Sequence, residues 1–252
     1  NAVYTPIVYK VTFKADGVTV AEVTYTDGAE SIEEPAVPAK DGYTGAWEVY
    51  TLDGTDIVVN AGYKKYSEGL IFEKTYLGCA VSGLGTCKDT DIVIPPVSPA
   101  GDIVTVIYQY AFSTAACKNI RSITIPEGIT YIHNSAFSGC SSMTSVTIPS
   151  SMDTIGFAAF RSCSSLTDIV IPNGVATIGE FAFEYCTALT SIVIPDSVTS
   201  IGRGAFHNCT KLTNISIGKN NTNYVVTGNC LIHIDSKTLV AGFNNSIIPN
   251  DG

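Results

Sequence analysis

The sequence predicts a mostly β protein: a solenoid of 23-residue repeats, with a parallel sheet on one face and short helical turns, preceded by a small antiparallel β-domain. Ala-Phe pairs begin at positions 111, 136, 159, 182 and 205, and Ile-Pro pairs begin at 125, 148, 171 and 194. Both pairs therefore recur every 23 residues after a first Ala-Phe interval of 25. A unit of this length cannot bury its apolar side chains alone, so successive units must stack.

Residues 1–66 lack this period and predict the small antiparallel β-domain. The stretches "YKVTFKAD" and "VTVAEVTYTDG" alternate apolar and polar residues, which is typical of half-buried strands. A Pro-spaced stretch with Pro35 and Pro38 follows, and "TDIVVNAGYKKY" predicts a further strand. We expect Tyr43 and Trp47 to lie in the core of this domain.

Residues 67–252 form the predicted repeat domain, and one unit shows how each coil is built. In "LTSIVIP", Ile192 and Ile194 are two residues apart, the period of a strand, and Pro195 ends that strand because it removes a hydrogen-bond donor. The stretch "VTSIG" predicts a second short extended piece, and "AFHNC" predicts one tight helical turn. We expect an irregular first segment at 70–103, an inserted hairpin at 220–243, and further repeats after "SIIPNDG", where no polar cap follows.

The repeat places one cysteine at the same position of five successive coils. Equivalent positions on neighbouring coils are separated by about 4.8 Å, and parallel Cβ directions in such a column disfavour disulfides. A straight column also cannot converge on a tetrahedral zinc ion. Buried thiols are therefore predicted, with no metal and no cofactor, for Cys117, Cys140, Cys163, Cys186 and Cys209. Cys79 and Cys87 lie outside the column and could pair across a hairpin.

Charge and motif content exclude several classes of function. The formal net charge is −9 with no cluster of Lys or Arg, so nucleic acid is not an expected partner. No apolar run approaches the roughly 18 residues that a spanning helix needs, so we expect no membrane insertion in this segment. The three histidines, His133, His207 and His233, fall in no recognised catalytic motif. We therefore expect no enzyme and no catalytic residue.

The repeat "LTSIVIPDSVTSIGRGAFHNC" resembles the BspA-like leucine-rich repeats of the Treponema pallidum type, in full register over residues 104–217. Residues 1–66 are similar to a Listeria–Bacteroides or InlB B-type repeat, although they lack that pattern's doubled glycine. The residues that carry this resemblance are Val11-Thr12-Phe13, Pro35, Pro38, Gly42-Tyr43 and Trp47. These resemblances imply a bacterial extracellular or cell-surface protein that adheres to a host or matrix protein or to a glycan. The alternatives are a structural spacer that displays another domain, and an enzyme module elsewhere in a longer chain.

Two surfaces are candidates for binding. On the sheet face, small and mostly hydroxyl-bearing residues alternate with the inward ones: Ser122, Thr124, Ser145, Thr147, Asp168, Val170, Ser191, Val193, Asn214 and Ser216. This face is either a binding platform or a plain solvent face. Aromatic residues follow the edge where each unit turns: Tyr108, Tyr110, Tyr131, Phe157, Phe181 and Tyr185. These rings either form an exposed interaction patch or wedge neighbouring coils apart.

Overall fold

The computed structural model describes residues 7–26 and 28–242. The chain divides into two compact units, Asn1–Tyr66 and Ser67–Gly252, and each is described by itself. The repeats expected after "SIIPNDG" lie outside the described residues.

The N-terminal unit contains one four-stranded sheet. Its strands are β1 (Val8–Ala15), β2 (Val18–Thr26), β3 (Tyr43–Trp47) and β4 (Ile57–Lys65). Their order is β2-β1-β4-β3, and the central pair, β1 and β4, runs parallel. The sheet is therefore mixed rather than purely antiparallel as predicted. Strands β1 and β2 form one antiparallel pair, and β3 and β4 form another. The two pairs join where β4 lies parallel to β1.

The core of this unit lies on one face of the sheet. Its buried side chains are Val11, Phe13, Tyr25 and Val59. The Trp47 ring packs 4.9 Å from the ring of Phe13, and its Nε1 donates a hydrogen bond of 2.7 Å to the Pro35 carbonyl, so Trp47 lies at the core as predicted.

The prediction that Tyr43 also lies in this core is wrong, because Tyr43 does not pack against the buried cluster. Strand β3 pairs Tyr43 with Lys65, at the opposite end of β4 from Val59. The Lys40 ammonium lies over the Tyr43 ring instead, 5.3 Å from its centroid.

The second unit contains a solenoid and a small terminal sheet. Its strands are β5 (Ile71–Thr75), β6 (Gly78–Gly83), β7 (Asp91–Val93), β8 (Val104–Ile107), β9 (Ser122–Thr124), β10 (Tyr131–Ile132), β11 (Ser145–Thr147), β12 (Thr154–Ile155), β13 (Thr177–Ile178), β14 (Ser191–Ile194), β15 (Ser200–Ile201), β16 (Asn214–Ile217), β17 (Tyr224–Thr227), β18 (Cys230–His233) and β19 (Leu239–Gly242). One 3₁₀ helix spans Ala115–Asn119.

Most coils contribute to two sheets rather than to one. The I-x-I-P strands form the three-stranded parallel sheet β11-β9-β7 and the parallel pair β14-β16, which are separated at residues 167–171. The shorter V-x-x-I-G pieces build the longer sheet, β15-β13-β12-β10-β8-β6-β5, in which β5 joins β6 antiparallel. The backbone of Gly179, for example, donates a 2.8 Å hydrogen bond to the Ile155 carbonyl of the preceding coil.

The core of the solenoid consists of columns that run through successive coils. The rings of Phe112, Phe137, Phe160, Phe183 and Phe206 stack with neighbouring centroids 5.2 to 5.7 Å apart. The branched aliphatic side chains of the two strands fill the remaining interior. Burial of one such side chain contributes roughly 1.5–3 kcal/mol, so the period that aligns these columns also stabilises the stack.

The helical turn of each coil uses left-handed backbone without glycine in most repeats. The residue before the Ala-Phe pair has a positive φ at Ala158 (51°) and Phe181 (55°), and the residue before the cysteine does so at Ser162 (59°). The 3₁₀ helix follows the first Ala-Phe pair, where the sequence holds two extra residues.

The segments that interrupt the repeat are also ordered into strands. The segment 70–103, predicted as irregular, contains β5, β6 and β7, and the last two pair in parallel with β8 and β9 of the following coil. The segment 220–243, predicted as a hairpin, contains three antiparallel strands, β17, β18 and β19, within its described part.

Candidate binding surfaces

The predicted sheet face is assembled from equivalent residues of neighbouring coils. The register pairs Ser122 with Ser145 and Thr124 with Thr147, and it pairs Ser191 with Asn214 and Val193 with Ser216. Between them the side chain of Ile123, like those of Val146, Ile169 and Ile192, points inward and is buried. The alternation along each strand therefore creates a surface of two rows that run across the coils.

None of the ten predicted face residues is buried. Val170 and Val193 occupy one row on adjacent coils and are 75% and 55% exposed. Asp168 is exposed in the other row, on the coil that separates the two I-x-I-P sheets. The geometry thus brings the ten residues together on one surface, and their role in binding stays a prediction.

The face extends one coil further than the sequence indicates. Strand β7 pairs with β9 and places Asp91 beside Ser122. The Ser122 hydroxyl donates to Asp91 Oδ1 at 2.8 Å, and Arg121 Nη2 donates to Oδ2 at 2.6 Å. The hydrogen bond from Ser122 has the largest effect on the pKa of Asp91, and together with the bond from Arg121 it holds this pKa below its ordinary value. The signal was "IVIP" at 92–95, which shares the strand pattern but does not keep the repeat period with the Ile-Pro pair at 125.

The six predicted rim aromatics lie in separate groups rather than in one row. Tyr108 and Tyr131 flank the imidazole of His133, with ring centroids 5.5 and 4.3 Å from it. Phe157 packs edge-on against Phe181 at 5.8 Å. Further along, Tyr185 lies 6.3 Å from the ring of His207.

Most of these rings are on the surface rather than tucked inward. Tyr110 is 59% exposed, and Phe157 (43%), Tyr185 (42%) and Tyr108 (37%) are exposed as well. Tyr131 and Phe181 are half-buried. Tyr108 and His133 of the first group line a groove of about 630 Å³ that also includes Tyr76 and Leu77 at the tip of the β5–β6 hairpin. Sequence reasoning missed these two side chains because they precede the regular repeat.

The five cysteines of the column are buried thiols whose Sγ atoms also form hydrogen bonds. Cys140, Cys163, Cys186 and Cys209 each donate to the carbonyl of the phenylalanine one coil earlier, at 3.1 to 3.3 Å. Cys117 Sγ lies 3.3 Å from the Thr114 hydroxyl oxygen. A thiol here thus fills space and satisfies a backbone acceptor, a second role that the period alone did not predict.

Burial makes these thiols poor nucleophiles. It raises the pKa of Cys140 and of Cys209 to about 12, and it also raises the pKa of Cys163 and Cys186 above the ordinary value. The thiolate is the nucleophile and the metal ligand, so a thiol that stays protonated at neutral pH serves neither role.

The remaining cysteines are buried as well and form no disulfide. This includes Cys79 and Cys87, for which a disulfide was an alternative. Among the residues that the structure describes, no group of three or more His, Cys, Asp or Glu side chains is placed to hold a metal ion.

The histidines form local contacts outside the two candidate surfaces or beside them. His207 Nδ1 lies 3.1 Å from Glu184 Oε1, and Arg161 Nε binds the other oxygen of this buried carboxylate at 2.7 Å. His233 Nδ1 lies 3.0 Å from the Ser236 hydroxyl within a turn. Burial lowers the pKa of His133 between its two tyrosines.

Within the described ranges, no helix is long and apolar enough to cross a membrane.

A stack of 23-residue coils, with one apolar strand per coil and a column of buried phenylalanines, is the architecture of a leucine-rich-repeat protein. The family model described as "BspA type Leucine rich repeat region" matches six copies over residues 105–230, half of the chain. The chain therefore belongs to the BspA-type leucine-rich-repeat family, as its repeat predicts. This match does not include residues 1–66, so their likeness to a B-type repeat stays a prediction.

Solved structures give the same fold. A leucine-rich-repeat protein from Bacteroides ovatus is 31% identical, with a TM-score of 0.54, over 59% of this chain and 40% of that one. The leucine-rich-repeat protein of T. pallidum is 24% identical, with a TM-score of 0.56, over 61% and 80%. The pneumococcal vaccine antigen PcpA is 19% identical, with a TM-score of 0.53, over 71% and 57%. The latter two show the fold alone. No curated protein matches the chain.

Proposed function

We propose that this chain is a non-catalytic part of an extracellular or cell-surface bacterial protein that adheres to a host or matrix protein or to a glycan. The I-x-I-P face is the proposed contact surface. The observation that carries the proposal is the exposed apolar pair Val170 and Val193 on adjacent coils. Two apolar side chains that face solvent inside a row of hydroxyls supply contact area, and the surrounding polar groups supply orientation.

The carboxylates of the face suit a partner that carries hydrogen-bond donors. Asp168 lies on the central coil, and Asp91 closes the face at one end. The short Ser and Thr side chains keep the surface flat, so an extended glycan or a partner strand can approach the backbone closely. The Bacteroides ovatus relative, at 31% identity, supports a shared architecture.

The test is saturable binding of the purified chain to immobilised matrix proteins, mucin and a glycan array at physiological salt. The variant Asp168→Arg/Ser145→Arg places two long cations on the face and is expected to weaken binding at least tenfold. Its matched control, Asp153→Arg/Thr199→Arg, makes the same change in net charge at two exposed residues outside the face. We expect the control to bind like the unmodified chain.

Each outcome decides between surfaces or functions. A loss confined to the face variant supports adhesion through the I-x-I-P strands. A partner that binds both variants equally well shows that another surface is used, with the aromatic groups as the next candidate. Equal loss in both variants indicates a general charge effect. No binding across the panel contradicts adhesion to these partners and favours a spacer.

A further inference from the structure

A further surface, unrelated to the repeats, is a groove on the N-terminal unit. It has a volume of about 640 Å³ and lies beside the end of β3. Its apolar lining includes Ile32, Trp47, Tyr50 and Leu52, all of which pack against the buried core of this unit. The groove is therefore a built feature of the fold, since its floor is the outer layer of the core.

The two aromatic rings of the groove are held in place from below. Trp47 is fixed by its hydrogen bond to the Pro35 carbonyl and by its contact with Phe13. The ring of Tyr50 stands edge-on to Phe13, with centroids 5.9 Å apart and an interplanar angle of 83°. Rings that are held this way lose little conformational freedom when a ligand packs on them.

The charged residues of the groove are all acidic. Glu30, Glu34 and Glu48 line it and are exposed, while none of its described lining residues is Lys, Arg or His. Burial, and after it a hydrogen bond that the Tyr50 hydroxyl donates to Glu34, raises the pKa of Tyr50 to about 12. Two lysines elsewhere in the unit pair with other carboxylates, Lys10 with Glu22 at 2.9 Å and Lys40 with Asp16 at 3.0 Å.

We infer that this groove binds an extended peptide segment that carries lysine or arginine. Aromatic faces attract ammonium and guanidinium groups, and carboxylates at the rim pair with the same groups. The surroundings favour a cationic partner as well, because residues 1–66 hold ten acidic and five basic residues, a net charge of −5. This inference is independent of the proposed adhesion through the solenoid, because it concerns a different unit.

The probe is a fluorescein-labelled, end-capped peptide with the sequence glycine, lysine, proline, lysine, glycine, titrated with the whole chain at 50 and 300 mM NaCl. A peptide with glutamine in place of lysine tests whether charge is needed. We expect saturable binding of the lysine peptide at 50 mM, at least tenfold weaker binding at 300 mM, and at least tenfold weaker binding of the glutamine peptide.

The variant Glu30→Gln/Glu48→Gln removes two carboxylates from the rim without changing the aromatic floor. Each exposed ion pair contributes a factor of roughly 1.4 to 5, so the loss of two pairs is expected to weaken binding by about twofold to 25-fold. The matched control, Glu33→Gln/Asp41→Asn, removes the same charge at exposed residues of the same unit that do not line the groove. Its affinity should stay within about twofold of the unmodified chain.

Three results overturn the inference. The first is equal binding of the glutamine and lysine peptides, which means that no cation is recognised. The second is equal weakening in both variants, which means that only the net charge of the unit matters. The third is an unchanged affinity in the groove variant, or no saturable binding at either salt concentration. Since both variants change exposed side chains only, loss of folding is not expected to mask these outcomes.

Discussion

Alkaline pH should destabilise the solenoid through its buried thiols, and Cys163→Ala isolates the effect. The Cys163 side chain is fully buried, and burial holds its pKa well above the ordinary value of 9.0. The folded chain therefore keeps the proton at pH 10, whereas the unfolded chain releases it. Stability from this group is complete below pH 9 and is lost as the pH rises above 9 toward the folded pKa.

The size of the loss follows from the linkage between protonation and folding. With an unfolded pKa of 9.0 and no ionisation in the folded state, one thiol lowers the free energy of unfolding by about 1.4 kcal/mol at pH 10. Four thiols of the column have raised pKa values, so together they lower it by about 6 kcal/mol if they act independently. That is comparable to the whole stability of an ordinary domain.

The assay is urea unfolding at pH 7 and at pH 10, in a reducing agent that prevents disulfide formation. Cys163→Ala lowers stability at pH 7 by about 1 kcal/mol, because it removes one buried group and leaves a small cavity. Its further loss between pH 7 and pH 10 should be about 1.4 kcal/mol smaller than that of the unmodified chain.

The control is Leu166→Ala, which truncates another fully buried side chain of the same coil that carries no titratable group. It should cost about 2–5 kcal/mol at both pH values and keep the pH dependence of the unmodified chain. If Cys163→Ala shows that same pH dependence, the thiol ionises equally in the folded and unfolded chains, and the linkage reasoning is wrong.

Two further substitutions test the packing of the coils, each by its urea midpoint. Gly179→Ala places a Cβ 2.5 Å from the carbonyl carbon of Gly156 on the neighbouring coil, so it should destabilise by about 1–3 kcal/mol or more. The control is Gly62→Ala, whose added Cβ has its nearest atom at 3.8 Å and should not clash. Glu184→Gln removes the charge that pairs with Arg161 at 2.7 Å and should destabilise by about 1 kcal/mol. An unchanged midpoint in either variant contradicts its reasoning.

The columns of the core could be predicted from sequence because they depend only on the period. Once the period fixes the length of one coil, every Phe and every Cys at a fixed position must stack on its equivalent. The second sheet was harder to predict, because its strands, such as Thr177–Ile178, contain two residues and show no alternation. The hydrogen bond from Cys163 to the Phe137 carbonyl was not predictable either, because it depends on the distance between coils.

The candidate surfaces, like the core, could be predicted from the sequence only in part. Inward and outward positions along a strand follow from alternation, so the outward residues of the regular repeats were predictable, whereas Asp91, whose strand lies outside the period, was not. The grouping of aromatics was not, because the first Ala-Phe interval is longer than the others. Tyr131 follows Tyr108 by one period but pairs with Val106, and His133 takes the position equivalent to Tyr108. The longer interval therefore moved one ring from a predicted row into a cluster around His133.

The two sheets of the solenoid constrain the coils differently, and this bears on where a partner binds. On the V-x-x-I-G side one ladder runs unbroken through seven strands. On the I-x-I-P side the ladder stops at residues 167–171, where the coil is held instead by the buried Ile169 and Ile171. Asp168 and Val170 lie on this same coil, so the exposed residues at the centre of the face belong to a segment that pairs in neither I-x-I-P ladder. A partner that contacts these two side chains binds over backbone that belongs to neither I-x-I-P ladder. A substitution on this coil should therefore distinguish a binding surface from a spacer that only displays another domain.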